Sequence, residues 1–148
     1  MSIYKTSMAS KQYIKPLGTV TLTAGPDELH VTNLDTFGQI KSMAVVLAGC
    51  TITGAAVLTI YGGTTTSGGT LTAIAAITIA ISATTGVLQI DAEDIGEAIE
   101  QADLGPEGFK SLVVKIDGTS TDTIKGAIVI NPLHQRDGLT PSSVTALT

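Results

Sequence analysis

The sequence is poor in the residues that most often carry chemistry. Its 148 residues include no Trp, three Tyr and two Phe, so aromatics make up 3%. A stacking platform for bases or sugars is hard to build from so few rings. Charged residues are 14%, against roughly 25% in an average chain. With 43% hydrophobic residues beside that low charge, intrinsic disorder is excluded. The one cysteine, Cys50, excludes an intramolecular disulfide, so the fold stands on burial alone. That suits a reducing compartment. The longest apolar-rich stretch, Leu71 to Ile81, is interrupted by threonines and too short to cross a bilayer as a helix. Between Met1 and Gly18 no apolar core leads to a small-residue cleavage site. A chain without a secretory signal or a membrane span is expected.

What is abundant is Thr, Ile, Ala, Val and Gly, the composition of short strands. Candidate strands are Thr19–Leu22, Glu28–Thr32, Lys41–Ala48, Ala56–Tyr61, Leu71–Ser82, Val87–Ile90, Ser111–Asp117 and Thr123–Ile130. In Lys41–Ala48, Met43, Val45 and Leu47 share one face; in Ser111–Asp117, Leu112, Val114 and Ile116 do; in Thr123–Ile130, Ile124, Ile128 and Ile130 do. Leu71–Ser82 fits a helical period and strict alternation alike, and its β-branched density decides for a strand. Gly62 to Gly69 brackets a Thr/Ser patch with glycines, which predicts a mobile hairpin tip. Asp91 to Asp103 departs from alternation. Ala92, Ile95, Ile99 and Ala102 recur at helical spacing, Asp91 suits an N-cap, and Gly105-Pro106 suits a stop. About eight strands and one short helix predict an all-β antiparallel sandwich of jelly-roll or Greek-key type. The expected organisation is an N-terminal docking arm (1–18), the sandwich (19–131) and a polar C-terminal tail (132–148).

Charge is laid out unevenly. Residues 1–26 hold Lys5, Lys11 and Lys15 and no acid, while the rest of the chain carries −8, giving −5 overall. Arms of one sign on a body of the other are often interaction segments. Tyr4, Lys5, Lys11, Tyr13 and Lys15 are therefore the candidate partner-binding residues, suited to an acidic protein surface. An acidic body without stacking aromatics disfavours nucleic acid.

Motifs for catalysis or cofactors fail on inspection. Gly63, Gly68, Gly69 and Thr70 mimic a phosphate loop, but Gly69 stands where the lysine belongs. Asp91, Glu93, Asp94, Glu97, Glu100, Asp103 and Glu107 lack calcium-loop spacing and read as a solvated helix face. Asp117 to Asp122 reads as a polar hairpin turn rather than a weak calcium loop. His30 and His134 have no second ligand at metal spacing, and Cys50 reads as a small buried hydrophobe. No catalytic residue, cofactor or metal is assigned. Ala44, Val46, Val113 and Val129 put apolar side chains on the second face of their strands, which predicts surface covered by a partner.

Three stretches carry a resemblance. Val87-Leu88-Gln89-Ile90-Asp91-Ala92-Glu93-Asp94 leads to Gly108-Phe109-Lys110-Ser111-Leu112-Val113-Val114-Lys115-Ile116, and Ile124 to Ile130 follows a Thr-rich turn. This third of the chain resembles tailed-phage capsid decoration (cement) proteins of the small β-sandwich type. The resemblance implies a non-enzymatic homo-oligomer, often a trimer, on the outer capsid of a virion, clamping neighbouring copies of the major capsid protein. The alternative is a receptor- or glycan-binding sandwich of a spike or appendage, for which Tyr61 beside the glycine loop is the available aromatic.

Overall fold

The computed structural model describes residues 12–133. The strands are β1 (Tyr13–Thr21), β2 (Gly25–Asn33), β3 (Ile40–Ala48), β4 (Ala56–Thr65), β5 (Gly68–Ile79), β6 (Thr85–Asp91), β7 (Ser111–Gly118) and β8 (Thr123–Pro132). A single helical turn, α1 (Leu34–Phe37), follows β2, and α2 (Ala92–Gln101) follows β6. A 3-10 turn at Gly105–Glu107 stands where the Gly-Pro stop was expected.

The strands form two four-stranded antiparallel sheets. The front sheet runs β1-β8-β3-β6 and the back sheet β2-β7-β4-β5. The first strand thus pairs with the last, the second with the seventh, the third with the sixth and the fourth with the fifth. A long hairpin wrapped once around itself has this pairing, and it is the jelly roll.

Alternation places the core between the sheets. Met43, Val45 and Leu47 of β3 face Leu58 and Ile60 of β4, Leu112, Val114 and Ile116 of β7, and Ile124, Ile128 and Ile130 of β8. All are at most 1% exposed. Each such side chain contributes roughly 1.5–3 kcal/mol on burial, enough to fold the chain without a disulfide. Leu71–Ser82 resolves as a strand: Ile77 and Ile79 pair with Leu58 and Ala56 on the core side, while Thr78 pairs with Val57 on the other.

β1 starts earlier than its expected position. It begins at Tyr13, so residues 13–18 of the expected arm are strand, paired with β8 from Ile130 to Gly126. The pairing slips between Pro16 and Gly18, where Leu17 makes a bulge. Proline and glycine broke the alternation that would have revealed this strand. At the other terminus β8 extends to Pro132.

The helix is as read. The Asp91 side chain accepts from the N–H groups of Glu93 and Asp94 at 2.9 and 3.0 Å. Asp94 answers by accepting from the Asp91 N–H at 2.8 Å, which completes a capping box. Ala98 is buried, and Ile95 packs against the core.

Candidate functional site

The expected partner-binding residues are split by the fold. Tyr13 is 5% exposed, and its ring meets Phe37 edge-on at 5.1 Å, so it serves the core. Lys15 lies on the edge strand β1, half-buried, opposite Ile128. Tyr4, Lys5 and Lys11 lie outside the described residues, as does His134.

The acidic stretch is a solvated face. Glu93, Asp94, Glu97 and Glu100 of α2 and Asp103 after it are exposed, and Glu107 makes an exposed ion pair with Lys110 at 3.4 Å. Among the described residues no three His, Cys, Asp or Glu side chains converge on a point where a metal ion would fit. Cys50 is 3% exposed, and its thiol donates to the Lys125 carbonyl and accepts from the Lys125 N–H, both at 3.5 Å.

The glycine-rich segment is not an open loop. β4 runs to Thr65 and β5 starts at Gly68, so only Thr66 and Ser67 form the tip. Gly62 and Gly63 answer to packing instead. A Cβ at Gly62 would collide with the Phe109 ring, and one at Gly63 with the Gly68 carbonyl and Ser111 Oγ. Gly63 also accepts from the Lys110 N–H at 2.8 Å. Tyr61 stands on the outer face of the back sheet with the Lys115 ammonium 5.8 Å from its ring centre. A cation over the ring takes up a face that a sugar would need.

The turn between β7 and β8 holds a buried carboxylate that the sequence did not announce. Asp122 is 0% exposed. Its Oδ1 accepts from the Thr53 N–H and hydroxyl, each at 2.7 Å, and its Oδ2 from the Thr119 N–H at 3.0 Å. Burial alone would raise the carboxyl pKa, but hydrogen bonds from Thr53 and Thr119 outweigh it and hold the group well below the ordinary carboxylate range. The Thr53 hydroxyl also lies 2.7 Å from that of Thr121 and 3.0 Å from that of Thr119. This is a structural clasp between two connections. Asp117, at the other end of the turn, is exposed.

The surface that departs most from a solvated sheet is the outer face of the front sheet. Register aligns Ile14, Val129, Ala44 and Gln89 in one row across the four strands. The next row is Pro16, Ala127, Val46 and Val87. Seven of these eight positions are apolar. Ile14 is 49% exposed and Val87 58%. Polar rows bound the patch: Ser42, Asn131 and Asp91 on one side, where Asn131 Nδ2 donates to Ser42 Oγ at 2.8 Å, and Thr19 with Lys125 on the other. An antiparallel sheet with one wet face normally alternates apolar-in with polar-out. Here the outer face of the front sheet is apolar as well as the inner one. Ala44, Val46 and Val129 sit where the sequence placed them. Val113 is a correction: it lies on the outer side of the back sheet but is 0% exposed, beside Tyr61 and Gly68 at the start of β5, so the same chain covers it.

No protein-family model and no curated protein sequence matches the chain. Among solved structures, one of Bacillus endospore appendages, described as disulfide-linked pili, covers 88% of this chain and 94% of its own, with a TM-score of 0.47 and 16% identity. PirA covers 86% of this chain and 97% of its own, at 0.38 and 10%. The VP2 subviral particle of infectious bursal disease virus covers 86% of this chain, which spans 34% of that protein, at 0.42 and 12%. Likeness this distant assigns neither family nor activity.

Proposed function

We propose that the chain is a non-enzymatic virion structural protein that sits on the outer capsid surface as a homo-oligomer and stabilises the shell by bridging major capsid subunits. The observation that supports this reading is the apolar outer face of the front sheet, centred on Val46, Ala127 and Val129. Leaving such a face in water gains nothing, and covering it contributes about 25 cal/mol per Å² of apolar surface removed. A polar rim around an apolar centre is also the usual anatomy of a protein–protein contact. The basic segment with Tyr4, Lys5 and Lys11 supplies a second contact on an acidic neighbour, continued onto β1 by Lys15. Jelly rolls serve capsids and lectins alike, so the fold leaves the choice to the surface. The receptor or glycan alternative ranks second because Tyr61 carries Lys115 on its ring.

The test is a photo-crosslinking residue at Val46 in the intact assembly, with the same residue at Glu28, exposed on the back sheet, as the control. Adducts between Val46 and the major shell subunit are expected. Adducts from Glu28 and none from Val46 would contradict the assignment.

A further inference from the structure

On the footing that the chain is a subunit of an assembly, we propose that its β5–β6 side is the contact through which it joins a second copy of itself, edge strand to edge strand. From Ser42 to Ile90 the sequence contains no Asp, Glu, Lys, Arg or His. That run builds almost all of β3 and β6 and the whole of β4 and β5. The topology then puts these four strands together. β3 and β6 end the front sheet, β4 and β5 end the back sheet, and only the five residues Ala80–Thr84 connect β5 to β6. One lateral half of the sandwich therefore carries charge only at Lys41, near the start of β3, and Asp91, the end of β6. The other half, β1, β8, β2 and β7, carries Lys15, Lys125, Asp27, Glu28, Lys115 and Asp117.

The two sides also treat their strand edges differently. An edge strand offers unpaired N–H and C=O groups to any passing strand, and proteins blunt it with proline, charge or a bulge. β1 has Pro16, Lys15 and a bulge; β2 has Pro26, Asp27, Glu28 and a register shift between Glu28 and His30. β5 and β6 have no proline, and their only charge is Asp91, the last residue of β6. β6 pairs with β3 without a bulge, and β5, which bulges at Ile74 and near Gly69, pairs regularly from Ala75 to Ile79. Among the described residues no strand pairs with the outer edge of β5 or β6. α2 leaves β6 at Asp91 and covers that end, so the open edge is the length nearer Ile79 and Thr85. Ile81 at 63%, Val87 at 58% and Val57 at 41% exposure lie in this half, three of the five large hydrophobics exposed among the described residues.

The occupant follows from charge. Two copies at −5 repel each other least where neither presents a charge at the contact. A partner that brought charge to this side would bury it unpaired. A second copy brings the same uncharged edge, and two antiparallel β5 strands related by a two-fold axis would complete each other's ladders.

Sedimentation velocity on the full chain tests this. The wild type is expected to sediment as a dimer or larger. Ala76→Lys with Thr78→Lys, both at exposed β5 positions, should weaken association by about tenfold or more, because the new charges meet their own symmetry mates. These lysines reduce the net charge, so general repulsion cannot explain a loss. Thr19→Lys on exposed β1 should change nothing. Ile81→Lys, in the β5–β6 connection and outside the docking face, provides a second variant if the double one does not fold. A wild type that stays monomeric at its solubility limit would overturn the proposal, as would oligomers that survive the lysines on β5 and at position 81. Cross-linking from Val46 reads shell docking separately. A monomer that still cross-links to the shell overturns only the self-contact, and a β5-dependent oligomer without shell adducts overturns only the docking.

Discussion

Thr53 gives both its backbone N–H and its hydroxyl to one oxygen of Asp122, each at 2.7 Å. The two residues belong to different connections, one between β3 and β4, the other between β7 and β8, at one end of the sandwich. The contact reinforces the backbone bridge between Thr51 and Thr123, which ties the same two connections together. Hydrogen bonds to a buried charge are the strong kind, roughly 1.5–3 kcal/mol each. Asp122→Ala should therefore cost about 3 kcal/mol or more, read as a lower urea midpoint at unchanged slope. An unshifted midpoint would show that the contact adds nothing to stability.

The same carboxylate sets an acid limit. Its folded pKa is depressed, so the stability it contributes is fully present above the unfolded value of about 3.9. That stability is lost as pH falls below this value toward the folded one. The wild type should lose stability below about pH 4 more steeply than Asp122→Asn, which has no proton to take up there. Parallel acid profiles of the two proteins would contradict this.

Gly62 faces the Phe109 ring, and no Cβ fits between them. Gly62→Ala should cost about 1–3 kcal/mol through overpacking. Combining it with Phe109→Leu should recover part of that loss, and the coupling is read from a double-mutant cycle in urea. Strictly additive losses would show that the ring is not what meets the new methyl group.

The Cys50 thiol is enclosed by its own strands and bonded to the Lys125 backbone. A water-soluble thiol reagent should leave the native protein unmodified and label it only as fast as it unfolds. Labelling within the mixing time would contradict its burial.

Much of the fold was legible because alternation is a local signal. Met43, Val45 and Leu47, or Leu112, Val114 and Ile116, declare their inward face without reference to the rest of the chain. The Asp91 cap is equally local, since donor and acceptor lie three residues apart. Strand β1 was legible only in its second half, because Pro16 and Gly18 sit at a bulge that resets the period. Strand order was not legible, because β1 meets β8 across the whole chain and nothing local records it.

The surfaces were legible in fragments. Ala44, Val46 and Val129 signalled a covered face, but only the register adds Ile14 and Val87 to it. Val113 gave the same signal for a different reason, since the same chain covers it. Asp122 looked like any turn aspartate. Its partner Thr53 is 69 residues away, so sequence proximity could not show the pair. The charge-free run is plain in the sequence, yet it becomes a surface only when the topology sets β3, β6, β4 and β5 side by side.

Electron cryo-microscopy of the native assembly containing this chain reads the proposed docking of the front sheet on a shell without any substitution. The outer face with Ile14, Val46, Val87 and Val129 is expected to pack against a neighbouring shell subunit. A map in which that face is open to solvent, or in which the chain is not part of a shell, would contradict it.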